Sequence, residues 1–177
     1  QNVNDVPFSI AAPSESDLRE RGVDDLEGVA RNVGSFTVQN LGPGQSQVAM
    51  RGVASGQSVR DQPGVKEQVG AYLDDSNVSL SLFTPDLDLF DVGRVEVLRG
   101  PQGTLFGRNV TGGAVLINTR GPSEEFELSA RAAVDGNPNG DGGLNYFFMG
   151  AVGGPLSDTF NARLSLYHND DKGWFEN

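Results

Sequence analysis

The 177-residue sequence contains no cysteine, one histidine, and only 13 lysines and arginines against 24 aspartates and glutamates. Zero cysteine excludes disulfides and cysteine-ligated zinc, though it leaves the compartment open. With His168 as the single histidine, a histidine metal cluster is unavailable, and so is a nucleophilic triad that needs a second histidine candidate. The formal net charge of -11 disfavours a nucleic-acid partner, because phosphate binding requires a basic surface. No apolar run approaches the ~20 residues of a membrane helix. Gln1 opens a polar stretch with neither a basic n-region nor an apolar h-region, so no signal peptide is read and the chain is taken as mature, truncated or both. A membrane β-barrel survives all of these exclusions. Its strands are ~9–11 residues long and alternate in polarity, which hydropathy misses, and the 37% apolar content suits it as well as a soluble domain.

What is present is glycine, 24 residues of it, punctuating short β-branched runs. Val6–Ile10 reads as an entering strand that Pro7 confines to an edge. Ser14, with Asp17 three residues on, predicts a helix start, with Leu18 as its apolar anchor. Asp24-Asp25 predicts a second short helix. There Leu26, Val29, Ala30 and Val33 form one stripe at i, i+3, i+4 and i+7, and Gly34 follows as the stop. Phe36–Asn40 and Gln47–Arg51 read as strands around the Gly42-Pro43-Gly44 turn, and Gln68–Leu73 as another. Ala54–Lys66 and Ser76–Pro85 read as loops, and Leu87–Phe90 as a helical turn.

The densest segment runs from Arg94 to Thr119. Val95 and Val97 share one face of its first strand, and Arg94, Glu96 and Leu98 the other. Gly100-Pro101 stops that strand. A short apolar turn, Thr104-Leu105-Phe106, and the pair Gly112-Gly113 lead into Val115-Leu116-Ile117. This segment closely resembles the most diagnostic motif of TonB-dependent outer-membrane receptors, in which it forms part of the plug that fills the barrel. The resemblance extends upstream, through Met50-Arg51-Gly52 and through the strand-turn Tyr72-Leu73-Asp74-Asp75. Asp75 stands where the family has glycine. Asp tolerates positive φ better than most residues, so the turn survives at a small cost.

After Gly121-Pro122 the pattern changes to alternation. Phe126, Leu128, Ala130, Ala132 and Val134 interleave with Glu127, Ser129, Arg131 and Ala133. Phe160, Ala162, Leu164 and Leu166 interleave with Asn161, Arg163, Ser165 and Tyr167. Both read as strands with one lipid and one lumen face. Leu144–Val152 is a poorer third, because Phe147 and Met149 fall on its polar face. The long polar connection Asp135–Gly143 is placed outside and the tighter Gly153–Asp158 in the periplasm. The next outward tip is Asp170–Gly173, with Tyr167, Trp174 and Phe175 flanking the outer interface. The predicted architecture is therefore α+β. A plug over 1–121 has a mixed sheet and short helices, and 122–177 supplies the first three antiparallel strands of a barrel. Three strands cannot close the family's plugged barrel of about 22, and open edges in lipid are costly, so the sequence is read as a fragment or truncated product.

Other site signals have plainer readings. Gly107 is followed by Arg108-Asn109 rather than the Lys-Ser/Thr of a Walker loop, so the glycines are plug turns. Asp135–Asp141 matches half of a calcium loop, but its twelfth position is Tyr146 and no helices flank it, which leaves a polar hairpin. The sequons at Asn77 and Asn109 are uninformative. Arg51, Arg94, Glu96, Arg99 and Arg108 are either surface charges or, as the resemblance suggests, locks that pair the plug with the inner barrel wall. Arg60, Asp61, Gln62 and Phe83, on loops facing outward, are candidates for ligand contact or ordinary solvated residues.

The resemblance implies uptake of a scarce nutrient, most often a ferric siderophore, across a Gram-negative outer membrane. Cobalamin, haem or an oligosaccharide stay open as substrates. The partners implied are outer-membrane lipid, the rest of the barrel and the TonB complex, the last through an N-terminal box upstream of Gln1. The reading includes no enzyme activity, cofactor, metal or nucleic acid. Two rivals are a plug that binds a ligand or partner without transport, and a hydrolase or nucleotide enzyme using the glycine loop.

Overall fold

The computed structural model describes residues 9–42, 44–54, 68–79, 84–85, 87–107, 110–136 and 144–170. The chain divides after Arg120 into two compact units, 1–120 and 121–177. In the first, strand β1 (Ser9–Ala11) leads into helices α1 (Glu15–Glu20) and α2 (Leu26–Asn32). Next come β2 (Phe36–Gly42), β3 (Gln45–Met50), β4 (Val53–Ala54), β5 (Val69–Leu73), β6 (Ser76–Asn77) and β7 (Thr84–Pro85). β8 (Val92–Arg99), α3 (Gly103–Phe106) and β9 (Gly113–Thr119) complete the unit.

Its main sheet has the order β1-β8-β9-β5-β6. β5 and β9 are parallel and the other pairs antiparallel, so the sheet is mixed. A second sheet, β2-β3-β4, also takes β7 against β3. Period-two alternation gives the main sheet two buried faces. On one, Val95, Val97, Val115 and Ile117 pack with Leu18 of α1 and with Leu26 and Val29 of α2. On the other, Leu98 and Ala114 pack with Tyr72 and Val110. Each fully buried valine or leucine contributes about 1.5–3 kcal/mol, so the stripe on α2, not its seven-residue length, holds that helix in place.

Both predicted helix starts form. The Ser14 hydroxyl caps the Asp17 amide while the Asp17 carboxylate accepts from the Ser14 backbone N–H at 2.9 Å, a reciprocal capping box. These bonds, from the Ser14 side chain first and its backbone second, hold the Asp17 carboxyl below its ordinary range. Asp25 caps α2 by accepting from the Gly28 amide at 2.6 Å. The stop differs from expectation: Ser35, not Gly34, takes the left-handed conformation, at φ 66°.

Three further expectations are corrected. Leu87–Phe90 is not helical; an Asx turn, with Phe90 N–H donating to Asp88 Oδ1 at 2.8 Å, bends the chain there. The stretch read as a loop from Ser76 to Pro85 contains β6 and β7, each two residues long and too short to leave a sequence pattern. Gly153–Ser157 is strand rather than turn.

That last correction belongs to the second unit, an antiparallel meander of β10 (Glu127–Gly136), β11 (Leu144–Ser157) and β12 (Phe160–Asp170). β11 pairs with β10 only as far as Gly153 but continues along β12, with a bulge between Pro155 and Ser157. Pro155 is accommodated where β11 has become an edge on the β10 side. Only Asp158-Thr159 forms the turn. The alternation holds as predicted: Leu128, Val134, Phe148, Leu164 and Leu166 are exposed on one face, while Glu127, Arg131, Phe147, Arg163 and Tyr167 share the other by register.

Candidate functional site

In the first unit, three turns converge on the end of β8. Arg51 and Gly52, at φ 51° and 79°, form the two-residue link that lets Met50 pair with Val53. The Arg51 N–H donates to Ser35 O at 2.8 Å, tying this link to the turn after α2. Arg99 Nη1 donates to Gly34 O at 3.3 Å. Arg51 Nη1 lies 3.8 Å from where a Cβ on Gly100 would stand. Gly113, at φ 149°, sits beneath Met50: a side chain there would overlap Met50 Sδ and Leu98 O. The second glycine of Gly112-Gly113 is thus a packing requirement between the two sheets, not a ligand loop.

Of the lock candidates, Arg51 and Arg99 therefore lie close to the same turn. Arg99 Nε is buried without a hydrogen-bond partner among the described residues. Arg94 and Glu96 are on the opposite face of β8, and they pair with each other, Nε to Oε1, at 2.7 Å. Glu96 is the less exposed of the two, 21% against 61%. Arg108 falls outside the described residues, as do Arg60, Asp61, Gln62 and Phe83.

Asp74 and Asp75 take φ 45° and 67°, and Leu73 pairs with Ser76, which defines a two-residue hairpin turn with both central residues left-handed. The departure from glycine at Asp75 is accommodated as expected. Asp74 does more, accepting from the Thr119 N–H at 2.8 Å and the Thr119 hydroxyl at 2.7 Å.

The second unit carries its polar chemistry on one face. Arg163 Nη1 meets Glu127 Oε2 at 2.9 Å. Further along, Arg131 Cζ stands 5.3 Å from the Phe147 ring centroid, and Phe147 meets Tyr167 edge-on at 5.8 Å. Tyr167 therefore belongs to this face and not to the apolar one that carries Leu164 and Leu166; Trp174 and Phe175 fall outside the described residues. Sequence reasoning missed these three contacts, which join residues separated by 16 to 36 positions and need the strand register to be seen. The described residues contain no group of His, Asp and Glu placed to hold a metal ion.

A family model described as TonB-dependent Receptor Plug Domain matches residues 2–114. The iron-regulated outer membrane virulence protein of Vibrio cholerae serotype O1 is 26% identical over 170 residues, covering 93% of this chain and 25% of that protein. The pesticin receptor of Yersinia enterocolitica is 28% identical over 158 residues, covering 89% and 21%. Among solved structures, the ferric yersiniabactin uptake receptor of Yersinia pestis matches with a TM-score of 0.67 at 27% identity, over 90% of this chain and 24% of that one. The siderophore receptor of Acinetobacter baumannii matches at 0.70 with 18% identity, over 97% and 22%, a likeness of fold alone. The chain thus spans about a quarter of the length of the relatives it matches.

Proposed function

Because the chain belongs to the TonB-dependent receptor plug family, we propose that it is the plug and first wall strands of an outer-membrane receptor that imports a scarce nutrient, a ferric siderophore above all. The Gram-negative outer membrane is its site of action. The observation that carries this reading is the pairing of two features in one chain. A plug-family unit is followed by a three-stranded meander whose one face is apolar and exposed and whose other face is polar. Such a meander suits a barrel wall, with lipid on one side and lumen on the other. In this reading the inner-membrane TonB complex supplies the energy by pulling an N-terminal segment, and the plug rearranges to open a path. No covalent chemistry is involved. Arg51, Arg94, Glu96, Arg99 and Arg108 serve as charges with which the plug engages the inner wall. Arg60, Asp61, Gln62 and Phe83 contribute ligand contacts.

The test is radiolabelled iron uptake in cells carrying or lacking the gene that encodes the chain. Uptake of at least one ferric siderophore is expected to require both this gene and TonB. Unchanged uptake of every iron complex supplied, under iron limitation and with the gene deleted, overturns the siderophore assignment.

A further inference from the structure

The chain passes from the first unit to the second through residues 121–126, and both ends of that passage are fastened. Thr119 closes β9, whose neighbours in the sheet are β5 and β8. A turn from each neighbour holds the exit. After β5, the Asp74 carboxylate accepts from the Thr119 N–H at 2.8 Å and from its hydroxyl at 2.7 Å. Before β8, the Asp91 carbonyl accepts from the Arg120 N–H at 2.9 Å. Asp74 and Asp91 both hold left-handed backbone, at φ 45° and 59°, a conformation that residues with a side chain adopt reluctantly.

The far end is seated on glycine. β10 pairs with β11 no further than Glu127 with Gly153, and Pro155 has no N–H with which to continue the ladder. The incoming chain lies instead against Gly154. A Cβ at position 154 would stand 3.1 Å from Phe126 Cα and 3.5 Å from Glu125 O, and the φ of 153° there suits glycine alone. A Cβ at position 153 would stand 3.4 Å from Ser123 Oγ. The Ser123 hydroxyl donates to Glu125 O at 2.6 Å, and Pro122 fixes its own φ. The stretch between the two fastenings is therefore stiffened as well.

We propose that residues 121–126 are a short tether, fastened by Asp74 and Asp91 at one end and by Gly154 at the other, that limits displacement of the first unit when the receptor opens. The proposal rests on the receptor reading above and adds a restraint to it. Chain length sets the scale. Six extended residues span about 20 Å, and with Glu125 and Phe126 seated on Gly154 the four that stay free span about 14 Å. So short a reach keeps the first unit at high effective concentration for return to its closed position.

The experiment uses the full-length receptor in iron-limited cells with and without TonB. It reads the concentration of vancomycin, a large antibiotic, that inhibits growth, and radiolabelled iron uptake is measured in the same cells. One variant carries about eight added glycine and serine residues between Gly121 and Pro122, which triples the free stretch; effective concentration falls as about the 3/2 power of length, so the inhibitory concentration is expected to drop about fivefold in cells with TonB. In cells without TonB it is expected to stay at the wild-type value. Gly154→Ala frees Glu125 and Phe126 and is expected to give about a twofold drop, again only with TonB. Heat-modifiable migration on gels checks that each barrel is folded. The insertion leaves every packed residue unchanged, so it decides the matter if Gly154→Ala does not fold. An unchanged inhibitory concentration on insertion, with wild-type iron uptake dependent on TonB, overturns the tether and leaves the receptor reading intact. An equal drop with and without TonB also overturns it, because the segment then serves only to seat the closed plug. A wild type that imports no iron, or imports it without TonB, overturns the receptor reading and the tether with it.

Discussion

Arg163 reaches Glu127 across an entire strand, and Gly153 lies between them. Glu127 pairs with Gly153, which pairs in turn with Arg163. The guanidinium crosses the bare glycine to make its 2.9 Å contact. A Cβ at position 153 would stand 2.8 Å from Arg163 Nη1 and 3.4 Å from its Cγ, so any side chain there displaces the arginine. The Arg163 side chain is 5% exposed and that of Glu127 30%. Removal of one partner therefore leaves a charge with little water. Breaking a buried pair costs about 3–5 kcal/mol, and the exposure of Glu127 puts Arg163→Ala near the lower end, because the carboxylate left behind keeps some water. Gly153→Val is expected to cost a similar amount. Thermal unfolding of the full-length barrel, followed by heat-modifiable migration, checks both. A double-mutant cycle on Glu127→Ala and Arg163→Ala isolates the pair.

The β5–β6 turn has room for improvement at one position and none at its neighbour. Asp75 is left-handed at φ 67°, where glycine adopts the conformation without a steric cost. Asp75→Gly is expected to stabilise the first unit by about 0.5–1 kcal/mol. Asp74→Gly offers the same backbone relief at φ 45° but forfeits two hydrogen bonds to Thr119, so the net change is expected to be destabilising. Chemical denaturation of the two variants side by side makes the comparison.

Thr84 is fully buried opposite Ser46, and its hydroxyl has no hydrogen-bond partner among the described residues. An unsatisfied buried hydroxyl costs about 1–3 kcal/mol. Thr84→Val, of nearly the same shape, is expected to stabilise the β3–β7 contact by roughly 1 kcal/mol. Slower hydrogen exchange at the amides of β3 in the variant is the expected readout; faster exchange there contradicts the assignment.

The α1 cap gives a pH dependence of defined sign. Because the folded-state Asp17 carboxyl is depressed by its bonds from Ser14, its contribution is fully present above the unfolded carboxylate value. It is lost as pH falls through the lower, folded value. Site-resolved carboxyl NMR is expected to show Asp17 titrating below the ordinary aspartate range, and Ser14→Ala to return it upward.

The parts that were legible in the sequence are those governed by local periodicity and local capping. Val95 and Val97 announced one face of β8 by period two, Ser14 and Asp17 announced a helix start by spacing, and Asp75 announced a turn that tolerates positive φ. The two-residue strand at Thr84-Pro85 left no trace, because two residues cannot establish a period. Gly153-Gly154-Pro155 imitated a turn, since nothing local reveals that β10 has already ended beside it. Phe147 and Met149 looked misplaced on a polar face until register set Arg131 and Tyr167 on either side of Met149. Glycine at position 153 had the same invisibility: its role is defined by Arg163, which the chain supplies only after turning back.

Arg99 is the lock candidate whose surroundings demand most explanation. It follows Val97 on the helix-side face of β8, opposite to Glu96, so the two cannot engage one patch of barrel wall. Glu96 already has Arg94 at 2.7 Å. Arg99 gives Nη1 to Gly34 O at 3.3 Å, a long and therefore weak bond. Its Nε is buried and unmatched among the described residues, an expensive state for a guanidinium donor. A carboxylate on the inner wall would supply the missing acceptor through the fork geometry that arginine favours. Arg99→Ala in the full-length receptor is therefore expected to loosen the plug and to raise passive permeability while the barrel remains folded. Loss of a buried pair costs about 3–5 kcal/mol, and a hydrated lumen reduces that figure. Arg94→Ala is the informative comparison, because Arg94 and its partner Glu96 lie on the other face and test a separate patch of wall. Single-channel conductance and sensitivity to large antibiotics are the readouts, with expression and heat-modifiable migration confirming the fold. If Arg99→Ala conducts no more than the wild type, Arg99 is a strand-end charge that serves only to tie β8 to the turn after α2.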